Sequence, residues 1–171
     1  MTHLLLDTIV LLWWLSGDKR LEWSASNRIA RPTGTVFVSV ATAWEISALE
    51  RGGKIDFGCP ASDCLPREMA LHRFEWLEIT HRHVFLAQQL PRDTLDPYDR
   101  LIVAQASLEG LMLVTTNPAM GRRPGIEIMD AQERIHAGPV NPLPPREPDD
   151  PVHQRPIPKW NAFPWGGTTS V

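Results

Sequence analysis

Four acidic residues of this sequence stand near the predicted ends of strands and starts of helices: Asp7, Glu45, Asp96 and Asp99. Carboxylates that are brought together without compensation repel one another, and some of them must then hold a proton. A hard divalent cation such as Mg²⁺ removes this conflict, because it binds carboxylate oxygens together with water and substrate phosphate. The chemistry of such a site is metal-assisted hydrolysis of a phosphodiester, in which the ion activates a water and screens the phosphate.

Each acid also has a purely structural interpretation. The run Asp96–Asp99 is a good helix start, with its first residue as N-cap, its proline at the first helical position and its last residue near the positive end of the helix dipole. Thr42 and Glu45 have the spacing of a capping box, although both could equally lie inside a helix. Asp7 is harder to explain in this way, because a carboxylate at the end of a buried strand is unfavourable without a partner.

Alternating strand and helix patterns would position these acids. Strands are predicted at residues 4–6, 35–39, 76–79, 111–115 and 125–129. Helices are predicted at residues 8–15, 24–30, 41–50, 65–74, 81–90 and 98–109, with a loop at 57–64. Such alternation predicts βαβ units around a parallel sheet. Because ligands bind beyond the carboxyl ends of parallel strands, we expect the acids to converge there.

The composition changes near residue 138 of the 171-residue chain. Nine of the 16 prolines lie between Pro139 and Pro164, and the periodic apolar pattern ends before them. We therefore predict a working domain over residues 1–137 and a proline-rich, disordered tail over residues 138–171. A second interpretation is that Trp160, Phe163 and Trp165 anchor the tail in a groove on a partner or on the same domain.

The charge balance excludes a simple basic nucleic-acid binder. Residues 1–137 carry 14 Lys and Arg against 17 Asp and Glu, a net charge of −3. Without the four candidate acids, the same residues carry 14 basic and 13 acidic groups, so the deficit comes from the proposed site. Four arginines near its edge are either phosphate-binding groups or ordinary surface charges: Arg92, Arg100, Arg122 and Arg123.

Several other classes of protein and site are disfavoured. The longest apolar run, Ile9–Leu15, is too short to cross a bilayer, and no secretory signal is evident, so we expect a soluble, cytoplasmic protein. Dinucleotide, P-loop and nucleophile-elbow motifs are not found. Two cysteines, Cys59 and Cys64, do not make a disulfide framework or a zinc site. No histidines have zinc-pair spacing, and His81 and His83 are predicted at the surface.

Four stretches together resemble a known family: LLLDTIVLLWWL (4–15), VSVATAWEIS (38–47), DPYDRLIVAQASLEGLMLVTTNPAM (96–120) and PGIEIM (124–129). They are similar to PIN-domain proteins, and most of all to the VapC-type ribonuclease toxins of bacterial toxin–antitoxin pairs. The resemblance covers about residues 3–130. It implies a PIN-like three-layer α/β fold, in which a central, mostly parallel sheet is flanked by helices. It also implies a Mg²⁺-dependent acidic site, cleavage of single-stranded RNA, a homodimer and a cognate antitoxin.

The family's acidic residues can be carried over individually. Its first acid corresponds to Asp7, its second to Glu45 and its third to Asp99, with Asp96 as an accessory acid. The fourth acid usually follows the last core strand, where this sequence has Asn117. An amide oxygen can still accept a bond, but it brings no negative charge to a cation.

The resulting hypothesis is an endoribonuclease that hydrolyses single-stranded or loop RNA and is the toxin of a toxin–antitoxin pair. Mg²⁺, with Mn²⁺ as an alternative ion, would be held by Asp7 and Asp99, with Asp96 and Asn117 completing the shell. Glu45 would orient or deprotonate the attacking water. The candidate substrate-binding residues are Arg100, Thr115 and Arg122.

Two alternatives remain open: a nuclease that acts on DNA, and a catalytically weak PIN-like protein that binds RNA or an antitoxin. Partners are expected to be RNA, an antitoxin and a second copy, and not a membrane. Trp13, Trp14 and Trp23 are either interface anchors or core residues.

Overall fold

The computed structural model describes residues 1–92, 94–122 and 125–132, and the backbone of residues 159–160. The strands are β1 (Leu4–Leu6), β2 (Val36–Ser39), β3 (Ile55–Asp56), β4 (Glu75–Leu77), β5 (Met112–Thr115), β6 (Ile128–Asp130) and β7 (Lys159–Trp160). The helices are α1 (Thr8–Ser16), α2 (Trp23–Ala30), α3 (Val40–Arg51), α4 (Ala61–His72), α5 (His81–Gln88) and α6 (Pro97–Glu109), and a 3₁₀ turn (Pro118–Gly121) follows β5.

Five strands form one sheet in the order β4-β2-β1-β5-β6, and every neighbouring pair is parallel. From the central strand β1, the chain builds one side through β2 and β4, and then the other side through β5 and β6. The strand order therefore reverses between β1 and β5. In open parallel sheets, such a switch point leaves a crevice at the carboxyl ends of the strands. Asp7, which directly follows β1, stands at this crevice.

Helices cover both faces of the sheet, because successive residues of a strand point to opposite sides. Leu4 and Leu6 pack in one apolar cluster with α1, α2 and α4. Leu5 belongs to a second cluster, which includes Ile102 and Val103 of α6. The predicted three-layer α/β fold is confirmed.

Local capping signals set where the acid-bearing helices begin. Ser39, the last residue of β2, caps α3, since its hydroxyl oxygen accepts the N–H of Ala41 at 2.9 Å. Asp96 caps α6, and its carboxylate accepts the N–H of Asp99 at 2.8 Å. The structural interpretation of Asp96 is therefore confirmed. Glu45 lies inside α3, so its spacing from a threonine does not mark a capping box.

A buried hydrogen-bond network fixes α6 against the sheet. The Gln105 side chain is fully buried, and its amide nitrogen donates to the backbone carbonyls of Leu77 and Glu78, both at 3.2 Å. The hydroxyl of Ser39 donates to the Gln105 amide oxygen at 2.5 Å. The same residue that caps α3 is thus bonded to α6, so the network positions both helices that carry candidate acids.

The prediction of a loop at residues 57–64 is wrong in its second half, because α4 begins at Ala61. The Glu50 carboxylate accepts the Ala61 N–H, with oxygen distances of 3.0 and 3.2 Å. A residue from the preceding helix therefore satisfies a free donor at the start of α4. The two-residue strand β3 was also not predicted. It precedes this segment and is too short to show a periodic pattern.

The predicted surface position of His83 is wrong. Its side chain is only 1% exposed, whereas His81 is exposed as predicted. The Thr80 N–H donates to Nδ1 of His83 at 3.1 Å, and Nε2 lies 3.0 Å from a Glu109 carboxylate oxygen. The imidazole thus closes a capping box on α5 and bonds to α6.

Cys59 and Cys64 are joined by a single disulfide bond, which the sequence does not predict. Among the early tryptophans, Trp13 belongs to the core, Trp14 is partly buried and Trp23 is 41% exposed. No helix in the described ranges is long and apolar enough to cross a membrane.

The predicted boundary at residues 137 and 138 lies outside the described residues. Within the predicted tail, the backbone of β7 pairs antiparallel with β3, with Trp160 opposite Ile55 and Lys159 opposite Asp56. Two paired residues form a small contact, because each net backbone hydrogen bond contributes about 1 kcal/mol.

We expect a chain that ends at Ala137 to keep the cooperative melting transition of the full chain, with Tm lowered by no more than a few degrees. The physical reason is that the truncation removes only the short β7 contact from the described fold. Differential scanning calorimetry of both chains measures this effect. A decrease in Tm of more than about 10 °C, which corresponds to more than 1 kcal/mol in a domain of this size, would place the tail within the folded unit.

Candidate active site

An open pocket of about 330 Å³ lies at the carboxyl edge of the sheet, between β1, β5, α3 and the start of α6. Its polar lining includes all four predicted acids and the predicted amide: Asp7, Glu45, Asp96, Asp99 and Asn117. The fold thus brings together groups that are up to 110 positions apart in sequence. This size is typical of pockets that bind small ligands or reacting groups.

Asp7 is the most deeply buried of these acids, with 5% of its surface exposed. Burial raises its pKa from 3.8 to about 6, because removing a carboxylate from water disfavours the charged form. The Thr115 hydroxyl opposes this increase by donating a hydrogen bond of 2.7 Å to the carboxylate. The bond crosses from β5 to the end of β1, so it fixes the carboxylate at the switch point of the sheet.

Glu45 approaches the pocket from the interior of α3. Its pKa is raised from 4.5 to about 7, mainly by burial and to a smaller extent by the nearby carboxylates of Asp96 and Asp7. A hydrogen bond to the Thr8 hydroxyl acts in the opposite direction. Thr8 is itself fixed by a buried contact of 3.2 Å with the Thr42 hydroxyl.

Asp99 faces the other acids from the first turn of α6. Its pKa is raised from 3.8 to about 8, first by burial and then by repulsion from Asp7, Asp96 and Glu45. This is the largest upward shift among the three acids with resolved shifts. The carboxyl group that most needs a nearby positive charge thus lies where three other acids converge.

Asn117 presents its amide nitrogen, and not its oxygen, to the acids. Its oxygen accepts the N–H of Ala119 at 3.0 Å and caps the 3₁₀ turn. The nitrogen then lies 3.4 Å from a carboxylate oxygen of Asp99, as a donor that partly offsets the increase in the Asp99 pKa. In this conformation the side chain supports Asp99, and a role as an oxygen ligand would require the amide to turn.

The pocket fits a divalent cation in the chemistry of its donors. Within the described parts of the chain, no three His, Cys, Asp or Glu side chains already converge at metal-binding distance. The pocket nevertheless offers only oxygen donors from its acids, as hard cations require. Burial and mutual repulsion raise the pKa values of Asp7, Glu45 and Asp99, and a bound cation would oppose this by favouring the ionised carboxylates.

The three predicted substrate-binding residues do not line the pocket. Thr115 is buried and bonded to Asp7. Arg100 is 8% exposed, and its Nε donates to the Asp96 carbonyl at 3.3 Å. Arg122 is exposed and lines a neighbouring cavity of about 220 Å³. Arg92, also exposed, donates to Gln88 at 2.9 Å, and Arg123 lies outside the described residues.

Three threonines that the sequence analysis did not select line the pocket: Thr8, Thr94 and Thr116. Thr8 and Thr116 had a signal that could have revealed them, because they are next to Asp7 and Asn117 in the stretches that resemble the family. The Thr8 hydroxyl bonds to Glu45 across 37 residues, which no local pattern indicates.

We expect the metal-free protein to lose stability as pH rises from about 4 to about 8. The three acids have folded-state pKa values of about 6, 7 and 8, all above their ordinary values, so the folded state binds more protons in this window. Their stabilising contribution is complete at low pH and is lost as pH rises through the folded pKa values. Because one pKa unit corresponds to about 1.36 kcal/mol, three shifts of this size predict a loss of several kcal/mol, or more than about 10 °C in Tm.

Thermal melts in EDTA between pH 5 and pH 8.5 would measure this effect. Adding Mg²⁺ at the highest pH should recover the lost Tm, because a cation compensates the ionised acids. A Tm that is constant or rises across the window would show that the acids are not clustered as described.

A sequence model of the PIN domain matches residues 4–125. Among solved structures, the chain is similar to VapBC2 from Rickettsia felis bound to a promoter DNA fragment, with 17% identity, a TM-score of 0.57 and coverage of 75% of this chain and 98% of that chain. It is also similar to a toxin–antitoxin complex from Klebsiella pneumoniae, with 22% identity, a TM-score of 0.54 and coverage of 76% and 98%.

DNA-bound VapBC from Salmonella typhimurium has 23% identity, a TM-score of 0.52 and coverage of 77% of this chain and 99% of that chain. At these identities, the structural similarity establishes the fold alone. A comparison with curated proteins found no match. The family match spans β1, β2, β4 and β5 of the sheet, the acidic pocket and the helices that position it, and on this basis the chain belongs to the PIN domain family.

Proposed function

We propose that this protein is a divalent-metal-dependent endoribonuclease and the toxin of a toxin–antitoxin pair. The observation that carries the proposal is the convergence of Asp7, Glu45, Asp96 and Asp99 in one pocket at the switch point of the sheet. PIN domains are a nuclease family, and a cluster of uncompensated carboxylates suits phosphodiester hydrolysis with a bound cation.

Asp7 and Asp99 would hold the ion, with Asp96 beside them. A bound Mg²⁺ or Mn²⁺ supplies an activated water and screens the negative charge of the phosphate. Asp7 is fixed by Thr115, so its carboxylate is oriented before any ligand arrives. Asn117 supports the opposite wall of the pocket through its bond to Asp99.

Glu45 would accept a proton from the attacking water. Its pKa of about 7 is close to neutral pH, where a general base is most effective. Asp7 suits this role less well, because its carboxylate is committed to Thr115 and to the ion. The Thr8 hydroxyl restrains Glu45 from the side of α1, and Thr8 is itself bonded to the Thr42 hydroxyl of α3.

An antitoxin and a second copy of the chain are proposed partners. The solved structures that this fold resembles include VapBC proteins and a toxin–antitoxin complex. RNA is the proposed substrate because the sequence resembles ribonuclease toxins in the stretches that contain these acids. A soluble, cytoplasmic location follows from the same assignment.

Matched RNA and DNA oligonucleotides of the same sequence would test the proposal. At fixed ionic strength with Mg²⁺, we expect cleavage of single-stranded RNA that stops when EDTA is added. Preferential cleavage of DNA would replace this assignment with a DNA nuclease. Cleavage that persists in EDTA would exclude the metal-dependent chemistry.

A second function is favoured by one observation, the amide at position 117. Asn117 adds no negative charge and points a hydrogen-bond donor into the cluster, so cation binding would be weaker than with an acid there. Such a protein would bind RNA or an antitoxin without cutting. Residual RNA cleavage with Mn²⁺ or with excess Mg²⁺ would exclude this alternative.

A further inference from the structure

An exposed tryptophan and a partly buried tyrosine form an aromatic pair on the two helices that carry Glu45 and Asp99. Trp44 of α3 is 56% exposed, more than Trp23 at 41% and far more than Trp13 at 4%. Its ring contacts that of Tyr98 on α6, with ring centroids 4.9 Å apart and planes 77° to each other. The exposed part of the indole gains nothing from the fold, so a partner that covers it would gain the free energy of burying that surface.

Both rings belong to residues that are adjacent in sequence to acids of the pocket. Trp44 directly precedes Glu45, and Tyr98 directly precedes Asp99. Both acids line the pocket, and adjacent residues on a helix point about 100° apart. The aromatic pair therefore belongs to the same two helix segments as the acids.

The geometry of the pair leaves aromatic faces available. In an edge-to-face contact, one ring contributes its edge and the other contributes one face, so the contact itself covers only one of the four ring faces. The exposure of Trp44 shows that water reaches its indole. The contact with Tyr98 also restrains the indole, so a flat ligand would meet a surface that is already ordered.

The charges around the pocket favour a flat ligand with a π face. None of the described residues that line the pocket is Lys or Arg. Arg100, the arginine nearest in sequence to Asp99, is buried and bonded to the Asp96 carbonyl. Because few Lys or Arg side chains are available to bind its phosphates, a single-stranded RNA must gain affinity from other contacts. Stacking of an unpaired base on an aromatic ring provides such affinity without any charge.

We propose that Trp44 and Tyr98 form a stacking platform for an unpaired nucleobase of the RNA whose backbone enters the pocket. This inference rests on the proposed function and adds the element that recognises the substrate as single-stranded. It predicts that part of the binding affinity is independent of salt, because stacking releases no counterions.

Trp44→Leu tests the platform, because leucine keeps an apolar side chain and removes the π face. Trp44→Phe keeps a stacking face, and Trp23→Leu is the matched control, an exposed tryptophan on α2. The probes are a fluorescein-labelled single-stranded RNA of about 16 nucleotides and an abasic ribose-phosphate oligomer of the same length and charge. Binding is measured by fluorescence anisotropy in Ca²⁺ over a range of salt concentrations.

We expect Trp44→Leu to raise the Kd for RNA by about 5- to 150-fold, the range that corresponds to loss of one stacked base. The dependence of Kd on salt should keep its slope, and Trp44→Phe and Trp23→Leu should remain within a few-fold of the wild type. The wild-type protein should bind the abasic oligomer as weakly as Trp44→Leu binds RNA.

Equal wild-type affinity for RNA and for the abasic oligomer overturns the platform, and this comparison holds even where a variant fails to fold. A change in the mass of Trp44→Leu in analytical ultracentrifugation, with no change in RNA affinity, would instead assign this surface to contact between copies. If the wild type cleaves RNA and Trp44→Leu matches Trp23→Leu, only the platform fails. If the wild type neither binds nor cleaves RNA, the proposed function itself fails.

Discussion

Replacing Asp7 or Asp99 with asparagine should reduce RNA cleavage by more than about 100-fold while preserving or raising the stability of the metal-free protein. Groups that only support a metal ligand contribute 10- to 100-fold to metal affinity or activity, so loss of a ligand itself should exceed that range. Cleavage is measured on single-stranded RNA with Mg²⁺, and stability by thermal melting in EDTA.

The expected gain in stability follows from the charge that each variant removes. Asp99, with a pKa of about 8, stays protonated at pH 7 only in the folded protein, whereas the unfolded chain ionises it, so Asp99→Asn should raise Tm at pH 7 and change it little near pH 4. Asp7, with a pKa of about 6, is mainly ionised at pH 7. Asp7→Asn should therefore raise Tm at pH 7, and its amide oxygen can still accept the Thr115 hydroxyl.

A conservative change outside the pocket provides the control. Glu75 is an exposed carboxylate on the edge strand β4, and Glu75→Gln should leave both cleavage and Tm unchanged. If Asp99→Asn loses activity and also unfolds, the residue acts mainly in the first turn of α6. If either variant still cleaves at the wild-type rate, the acid is not part of the site.

Replacing Asn117 with aspartate should increase Mg²⁺ affinity several-fold and lower the stability of the metal-free protein. One oxygen of the new carboxylate can keep the bond to the Ala119 N–H, and the other would face Asp99 where the amide nitrogen now lies. At an effective dielectric constant near 20, a charge pair about 4 Å apart contributes on the order of 4 kcal/mol before desolvation and repulsion. A net gain of roughly 1 kcal/mol is the expected remainder.

Asn117→Ser is the matched control, because serine keeps a good cap for the 3₁₀ turn and adds no charge. Calorimetric titration with Mg²⁺ measures affinity without relying on cleavage, and melting in EDTA at pH 8 measures the repulsion. The Asn117→Asp variant should bind Mg²⁺ more tightly than both Asn117→Ser and the wild type, and its Tm in EDTA should be lower than theirs. Identical titrations and melts for all three proteins would mean that position 117 does not face the acid cluster in solution.

Much of the fold was predictable because it rests on local patterns. The triple-leucine strand, the proline after Asp96 and the glycine that ends α6 at position 110 each act within a few residues, so β1 and α6 were placed within one residue of their observed bounds. The four acids were predicted at one sheet edge because parallel strands align their carboxyl ends. The predictions were wrong where a residue distant in sequence stabilises the observed structure. The Glu50 carboxylate accepts an N–H at the start of α4, which begins four residues earlier than predicted, and Glu109 is the hydrogen-bond partner of the buried His83.

For the site, the sequence alone determined which acidic residues meet in the pocket, since residue type and position after a strand are both local properties. Only the tertiary structure decided what each residue does there. It bonded Thr115 to Asp7, buried Arg100 with its Nε on the Asp96 carbonyl and turned the Asn117 amide nitrogen toward Asp99. It also placed Trp44 against Tyr98. The physical reason is that hydrogen bonds and pKa shifts depend on distances between atoms, and these are set only when α3, α6 and β5 pack around β1.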